Sequence, residues 1–478
     1  MEGSVQMKAR FGIPLLALAF ALGSAAPAAA TTFCVPGFHA ACPSGGGNVA
    51  QANLETAMQT NGDDGVDDRI VIAAGTTTKA DSYELDSGDN DDLEVTGAGP
   101  GVTYITTSQT GNPFVLNLNG ARAVTMRDLT VLVPASFDDN LGGGIQAEQD
   151  VFENVDIESR NVRSDGAPSL IGGSTFRDGR VYGSMGGSID TGFGTNGAAG
   201  GTMTIERMSI EDASWGVSVQ DANVASFVKR TRIVDPLAYG VRITDGSFAV
   251  VENSIIEAST AIPIVAESND PGTVIVSVRH VTIAGTNVPA SEPAIQTKVQ
   301  NASGNGPINM VVNDTIISGF PDPLWCEAPT SGSVGDASLS TRYSYFLHSA
   351  FVSGDCSVPT FNTIDSFSAG EPQFAGPGDF HLPPGSPAID SGDPQVVSVT
   401  NVDFDGASRP FDGDGDGTAR RDMGAYEFRP APPATATPPV PVPPAPAKKK
   451  CKKRKKPKRN GQAALAKKGK KCKRKKRR

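Results

Sequence analysis

Three aspartates near the carboxyl end of the chain have the spacing of a calcium-binding loop. Asp412, Asp414 and Asp416 alternate and are followed by Gly417, matching positions 1, 3, 5 and 6 of an EF-hand-type loop. The closing Glu is absent because position 12 is Met423, so the nearest substitute carboxylates are Asp403, Asp405 and Asp422. The pattern predicts either a calcium site or a Gly/Asp-rich turn that binds no ion.

A second set of charged residues could act on a polysaccharide. A basic residue can abstract a proton beside a uronate carboxylate, and grouped carboxylates can supply an acid and a base. The candidates lie within about twenty residues of each other; they are Arg163, Asp165, Arg177, Asp178, Arg180 and Tyr182. The alternative is an ordinary run of charges on the solvent face of a strand. The four histidines are scattered, and no Ser/His/Asp arrangement, P-loop or dinucleotide-binding motif is present.

The elements that must position these residues follow from a six-residue repeat. Its pattern is apolar-x-x-small/apolar-x-apolar with a polar third residue, and it occurs eight times: Met126 to Val131, Phe152 to Ile157, Phe176 to Val181, Ile205 to Ile210, Val228 to Ile233, Val251 to Ile256, Val278 to Ile283 and Val312 to Ile317. The last three residues of each copy alternate as a half-buried strand does. Copies recur at the length of one supersecondary unit, so coils of short strands are expected to stack.

The third position of the repeat predicts a turn. It is Asn or Asp in five of the eight copies, at Asp128, Asn154, Asp178, Asn253 and Asp314. These residue types tolerate a left-handed backbone, so we expect a tight turn directly before each strand. His280 occupies the same position, which favours a structural role. Function is then expected in the insertions between copies, chiefly Gly183 to Gly201 and the stretch after Phe320.

The repeats resemble those of right-handed parallel β-helix proteins of the pectate-lyase-like group, over roughly Leu93 to Phe320. The motifs GSPAID (Gly385 to Asp390), DFDGASRP (Asp403 to Pro410) and DMGAYE (Asp422 to Glu427) resemble a choice-of-anchor (Q-type) domain. These resemblances imply an all-β, right-handed, single-stranded parallel β-helix in an exported, surface-associated bacterial protein. They do not imply an enzyme.

The two ends of the chain indicate export and a charged tail. Lys8 and Arg10 precede an apolar run that ends before Ala28-Ala29-Ala30, as in a signal peptide. Three cysteine pairs are therefore candidate disulfides: Cys34 with Cys42, Cys326 with Cys356, and Cys451 with Cys472. The last 31 residues hold 20 of the 42 Lys and Arg residues and no acidic residue, so the remaining chain carries 22 − 52 = −30 charges. This asymmetry predicts an anionic surface polymer, extracellular DNA or lipid headgroups as the partner of the tail.

The predicted organisation has six parts. Residues 1–30 form a signal peptide, 31–92 an N-terminal cap with a helix over Asn48 to Met58 and the first strands, and 93–370 the β-helix. Residues 371–428 form the acidic choice-of-anchor-like domain, 429–447 a Pro-rich linker, and 448–478 a disordered basic tail. We expect a secreted monomer without a transmembrane segment, displaying loops for polysaccharide or surface recognition. The alternative is a secreted polysaccharide lyase or glycoside hydrolase that acts on acidic glycans.

Overall fold

The protein is an all-β parallel solenoid. The computed structural model describes residues 30–44, 47–60, 66–85, 91–108, 114–118, 123–135, 143–160, 169–170, 173–184, 189–195, 201–220, 224–299, 305–327, 337–347, 370–395 and 400–430. The described strands pair in parallel with the strand one coil away, and they form two long sheets. All eight predicted repeats lie on these strands, which confirms the β-helix prediction. No helix among the described residues is long and apolar enough to cross a membrane.

The larger sheet has strands on both sides of the predicted turn. Those before the turn, with the first strands of the chain, are β1 (Thr32–Val35), β2 (Asn48–Ala50), β3 (Asp68–Ile72), β6 (Leu93–Thr96), β13 (Thr175–Arg177), β16 (Gly201–Glu206), β19 (Val224–Lys229), β22 (Phe248–Glu252), β25 (Val274–Arg279), β28 (Ile308–Asn313) and β31 (Ala337–Arg342). Two long strands run through the turn, β9 (Val124–Val133) and β11 (Val151–Ser159). Those after it are β4 (Gly75–Lys79), β7 (Thr103–Thr107), β14 (Arg180–Gly183), β17 (Ser209–Glu211), β20 (Arg232–Val234), β23 (Ile255–Ala258), β26 (Thr282–Gly285), β29 (Ile316–Ser318) and β32 (Tyr345–Phe346).

The second sheet closes each coil. Its strands are β5 (Tyr83–Glu84), β8 (Leu116–Leu118), β10 (Ile145–Ala147), β12 (Ser169–Leu170), β15 (Ile189–Thr195), β18 (Ala213–Val219), β21 (Tyr239–Ile243), β24 (Ile262–Ser268), β27 (Ile295–Val299) and β30 (Leu324–Glu327). The inward residues of both sheets form one continuous apolar core. Such a core can grow with every coil added, because each coil buries its inner face against its neighbours.

The third position of the repeat is a stacked left-handed turn, as predicted. Nine residues have φ between 47° and 61° and occupy this position: Asp128, Asn154, Asp178, Arg207, Arg230, Asn253, His280, Asp314 and Tyr343. We call these residues the turn column. A left-handed backbone costs a non-glycine residue roughly 1–2 kcal/mol. The amides of the column offset this cost by hydrogen bonding to the next coil, as Arg207 N does to Lys229 O (3.0 Å) and Arg230 N to Glu252 O (3.0 Å).

Two local predictions need correction. The N-terminal helix α1 covers Leu54–Thr60 rather than Asn48 to Met58, because Asn53 accepts a hydrogen bond from Thr56 N (2.8 Å) and caps it there. Leu54, Ala57 and Met58 are buried against the first coils, so the helix does cap the core. The insertion Gly183 to Gly201 is not only a loop, since it contains β15, whose Phe193 lies in the core. Cys34 and Cys42 form the predicted disulfide.

The C-terminal segment, residues 370–395 and 400–430, packs along the outside of the β-helix. The part of it that the structure describes has no strand or helix and only isolated bridges, such as Phe411 with Arg420. Its apolar residues cover strands after the turn. Leu382, Ala388 and Met423 pack against Ile316 and Tyr345, and Phe380, Ala425 and Tyr426 pack against Ile255 and Ala284.

The turn column supplies the polar half of this interface. Asn253 Nδ2 donates to Thr400 Oγ1 (2.6 Å) and to Val402 O (2.9 Å), and its Oδ1 accepts from Arg409 Nη1 (3.0 Å). Arg409 also pairs with Glu427 (3.1 Å), and both side chains are fully buried. Residues of the motifs that resemble a choice-of-anchor domain therefore hold the C-terminal segment on the β-helix.

His280 and Asp314 of the column share a buried proton site at this interface. His280 Nδ1 lies 3.3 Å from the carbonyl oxygen of Asp422, which can only accept, so Nδ1 carries a proton. His280 Nε2 lies 3.5 Å from Asp314 Oδ2, and neither atom has another partner among the described residues. Burial lowers the pKa of His280 well below its usual value and raises the pKa of Asp314 to about 7. A neutral His280 therefore requires a protonated Asp314 for these two atoms to form a hydrogen bond.

This geometry predicts that stability falls as pH rises through neutrality. Asp314 holds a proton in the folded state that the unfolded chain releases near pH 4, so its contribution is lost as pH approaches and passes about 7. The buried Asp150 and Asp422, whose pKa values burial also raises to about 7, act in the same direction. His280 acts in the opposite direction up to about its usual pKa of 6.5, because the unfolded chain then binds a proton that the folded chain does not, so the aspartates act alone only above that pH.

Asp314→Asn should melt at a higher temperature than the wild type at pH 8 and show a smaller fall between pH 6 and pH 8. The side-chain amide of the variant carries no charge, and its NH₂ group can donate to His280 Nε2. Its side-chain oxygen can accept from Asp393 N, as Asp314 Oδ1 does at 2.6 Å. Asp212→Asn, at an exposed left-handed residue, is the matched control. Thermal unfolding across pH measures both. An Asp314→Asn protein that is less stable than wild type at pH 8 contradicts the shared-proton geometry.

Candidate functional site

The fifth position of the repeat faces outward on the strands after the turn. It is apolar at Ile255 and Ile316, where the C-terminal segment docks, and between them Thr282 accepts a hydrogen bond from Ala425 N of that segment (2.9 Å). In the preceding coils it is polar, at Asp156, Arg180, Ser209 and Arg232, and these residues line a groove of about 800 Å³. Sequence reasoning missed this change along one column, although the residues alone display it.

The groove lies between two covering elements. Pro100, in the turn before β7, lines one part of it, and Phe404 and Asp405 of the C-terminal segment line another. Turn-column residues contribute most of the rest: Asn154, Asp178, Arg207 and Arg230. The groove is therefore formed by the scaffold itself, rather than by the insertions in which sequence reasoning expected function.

The apolar part of the groove includes Gly179 and Met208. A Cβ atom on Gly179 would lie 2.1 Å from the carbonyl oxygen of Val155, so no larger residue fits between these coils. The amide of Gly179 donates to Met208 Sδ (3.2 Å). Gly179 therefore allows the two coils to approach closely between Asp178 and Arg180, which also line the groove.

Two Arg–Asp pairs connect successive coils within the groove. Arg180 binds Asp156 through Nε (3.2 Å) and Nη2 (2.6 Å), and its backbone amide also donates to this carboxylate (3.0 Å). Arg207 binds Asp178 through Nε (2.5 Å) and Nη2 (2.6 Å). The hydrogen bonds from Arg207 lower the pKa of Asp178, and the hydrogen bond to Asp156 raises the pKa of Arg180. Arg207 has the two-pronged geometry that arginine favours with carboxylates, one nitrogen on each oxygen of Asp178, whereas both nitrogens of Arg180 donate to Asp156 Oδ2.

Further contacts hold the groove's remaining charged residues. Arg232 Nε donates to Glu257 (2.6 Å), and Arg230 Nε donates to the carbonyl oxygen of Phe404 (3.1 Å). Asp405 accepts from His381 Nε2 (3.1 Å), whose ring also stacks on Tyr426 and bonds Asp379 through Nδ1 (2.6 Å). Arg207 and Arg230 of the turn column were missed in the sequence, because only Asn and Asp were recognised as turn residues, and of the fifth-position arginines Arg180 was predicted and Arg232 was not.

These pairings determine what the groove can do chemically. A general acid at neutral pH needs a carboxyl group with a raised pKa, whereas the pKa of Asp178 is lowered. A basic Arg180 would have to lose a proton that Asp156 helps to retain. Glu158 lies on β11, two residues after Asp156. Burial alone would raise the pKa of Glu158, but hydrogen bonds from Ser184 and Arg160 lower this pKa overall. The groove is thus an array of hydrogen-bond donors and acceptors held in fixed positions.

The structure brings together only some of the predicted catalytic candidates. Asp178 and Arg180 both line the groove. Arg177 pairs with Glu153 (3.2 Å) and does not line it, and Tyr182 lies under the guanidinium of Arg180 at 4.7 Å. Arg163 and Asp165 lie outside the described residues.

A group of three aspartates in the C-terminal segment could hold a metal ion. One oxygen from each of Asp390, Asp412 and Asp414 lies within 4.8 Å of the others. Asp412 and Asp414 were predicted, whereas Asp390 was missed because it lies 22 residues earlier, in the GSPAID motif. The other predicted ligands lie elsewhere: Asp416 accepts from Thr418 N (2.7 Å), Asp422 and Asp403 accept backbone amides at the docking interface, and Asp405 lines the groove.

The chain aligns over part of its length with solved structures. No protein-family model and no curated protein matches the chain. Among solved structures, a GH87 α-1,3-glucanase catalytic domain in complex with tetrasaccharides aligns with TM-score 0.39 and 12% identity, over 63% of this chain and 64% of that one. The Agl-KA catalytic domain aligns with TM-score 0.38 and 14% identity, over 63% and 62%. The catalytic unit of a thermostable GH87 α-1,3-glucanase from Streptomyces thermodiastaticus aligns with TM-score 0.32 and 12% identity, over 64% and 66%.

The alignment thus spans less than two thirds of each of these catalytic domains.

Proposed function

We propose that this protein is an exported β-helix protein that binds polysaccharide in the groove and has no catalytic activity there. The observation that carries the proposal is the pairing of the groove's carboxylates, Asp156 with Arg180 and Asp178 with Arg207. Paired carboxylates and guanidinium groups present fixed donors and acceptors, which suit sugar hydroxyls, but they leave no acid or base poised for bond cleavage. The rigid parallel strands keep these groups at fixed separations.

A binding assay combined with a release assay tests this proposal. On a glycan array the protein should bind a defined set of glycans, and the same glycans in solution should yield no new reducing ends and no unsaturated uronates. Arg180→Ala should weaken binding about tenfold, since it removes donors worth about 1.4 kcal/mol. Arg127→Ala, outside the groove but also ion-paired, is the matched control. Release of product that Asp178→Asn or Arg180→Ala abolishes would instead establish a lyase or hydrolase.

We also propose calcium as the ion for Asp390, Asp412 and Asp414. Three carboxylates supply the hard oxygen ligands that calcium prefers, and Asp412 and Asp414 belong to the loop with EF-hand spacing. Calcium should raise the melting temperature and a chelator should reverse the shift, because an ion that binds only the folded state stabilises it. The double variant Asp412→Asn/Asp414→Asn should lose the shift, and Asp416→Asn, outside the group, should keep it. Equal melting of the wild type with calcium and with chelator rules out the site.

We further propose that the protein is secreted, belongs among pectate-lyase-like β-helix proteins with a choice-of-anchor domain, and is retained on the cell by its basic tail. The support is the sequence: a signal-like amino end, the motifs around Asp390, Arg409 and Glu427, and 20 basic residues in the last 31. The residues of the tail, and Cys451 and Cys472 within it, lie outside the described part of the chain.

Tail retention predicts that salt removes the protein from cells. Attraction between exposed charges weakens as ionic strength rises, so moderate salt should release the full-length chain. A chain ending at Ala447, which keeps the Pro-rich stretch and loses the basic residues, should appear in the medium without added salt. Quantitative blotting of cell and medium fractions measures both. Equal cell association of the shortened chain would show that the tail does not retain the protein.

A further inference from the structure

The charges of the groove are balanced within the protein. Arg180, Arg207 and Arg232 each bind a carboxylate of the chain itself, at 2.6, 2.5 and 2.6 Å. Asp405 has His381 as its partner. Arg230 is the one described groove arginine without a carboxylate in hydrogen-bond contact; it binds the Phe404 carbonyl, and its charge helps to lower the pKa of Asp178. The described residues of the groove therefore include no group of unpaired cations that could bind an anionic ligand.

An anionic ligand would also meet unfavourable surroundings. Outside the basic tail, the chain carries a formal charge of 22 − 52 = −30. A polyanion lying across the coils would be repelled by this field. To bind Arg180 or Arg207 through Nε and Nη2 with its own carboxylate, it would have to displace Asp156, which is nearly buried, or Asp178, and leave that group without its partner.

A neutral sugar fits the same groups without displacing them. In a paired Arg–Asp unit the remaining guanidinium N–H groups can donate and the remaining carboxylate lone pairs can accept. Vicinal hydroxyls of a sugar both donate and accept, so one such unit can bind two of them. Pro100, Met208 and Phe404 add apolar surface for the C–H faces of sugar rings.

The units repeat along the solenoid. Asp156, Arg180, Ser209 and Arg232 are in register on consecutive strands of one sheet. Neighbouring strands lie about 4.8 Å apart, so these four positions span roughly 14 Å along the axis. A glycan strand that follows the axis would thus meet polar groups of several successive coils.

We propose that the groove takes a neutral polysaccharide, read by the Arg–Asp units of successive coils. This inference rests on the proposed polysaccharide-binding function and specifies the class of glycan.

The test is calorimetric titration of the full-length protein with neutral and uronate-containing oligosaccharides of equal length, taken from a glycan-array panel, at low and high salt. A neutral oligosaccharide should bind, with an affinity that changes less than about twofold with salt, because no net charge is neutralised on binding. Arg207→Gln should weaken this binding about tenfold, and Arg127→Gln, outside the groove, should not.

Three results would overturn the inference, and they differ in whether the proposed polysaccharide binding fails as well. Binding confined to uronates, with affinity that falls as salt rises and is lost in Arg230→Gln, would mean that the groove takes acidic glycans while polysaccharide binding itself stands. Binding of a neutral glycan that is unchanged in Arg207→Gln and Arg180→Ala would place the ligand elsewhere on the chain. Absence of binding to any glycan of the panel would remove the proposed function together with this inference.

Discussion

The structure depends on one repeated interaction, the hydrogen bond from a left-handed turn residue to the next coil. From Asp178 to Asp314 the amide of each turn-column residue donates to the carbonyl of the residue just before the next column position, as His280 N does to Asn313 O (3.1 Å) and Asp314 N to Arg342 O (3.2 Å). This contact turns the chain sharply between two strands and aligns the coils. Every column side chain consequently projects from the same outer edge of the solenoid.

That edge is used in two ways along its length. From Arg230 to Asp314 the column side chains bind the C-terminal segment, partly through buried charged groups such as Arg409 and Glu427. From Asn154 to Arg230 they line the groove. A buried charged group is stable only where partners satisfy its charge and its hydrogen bonds. The C-terminal segment therefore docks where its polar groups match those of the turn column. The open half keeps its charges paired at the surface, available to sugar hydroxyls.

Much of the solenoid could be predicted from the sequence, because a strict six-residue pattern carries both the strand period and the turn. A ninth copy, Thr341 to Phe346, was missed since its first residue is Thr, yet Tyr343 has the same left-handed backbone. In the groove, Asp178 and Arg180 were predicted, whereas Arg207, Arg230 and Arg232 were not. These three arginines line the groove because the C-terminal segment stops covering the β-helix beside them. The position of that segment depends on contacts between residues far apart in the sequence. The apolar residues Ile255 and Ile316 at an outward position were the local signal for that cover.

The central claim is that the docked C-terminal segment completes the groove of the β-helix, and hydrogen–deuterium exchange of the unliganded protein tests it most directly. Backbone amides that donate across the interface, Gly424 N to Asp314 O (2.7 Å) and Ala425 N to Thr282 Oγ1 (2.9 Å), should exchange as slowly as those of β22 and β25. Slow exchange over residues 402–409 and 422–428 is the predicted result. Exchange of these amides at the rate of an unstructured chain, while the strands stay protected, would contradict the account.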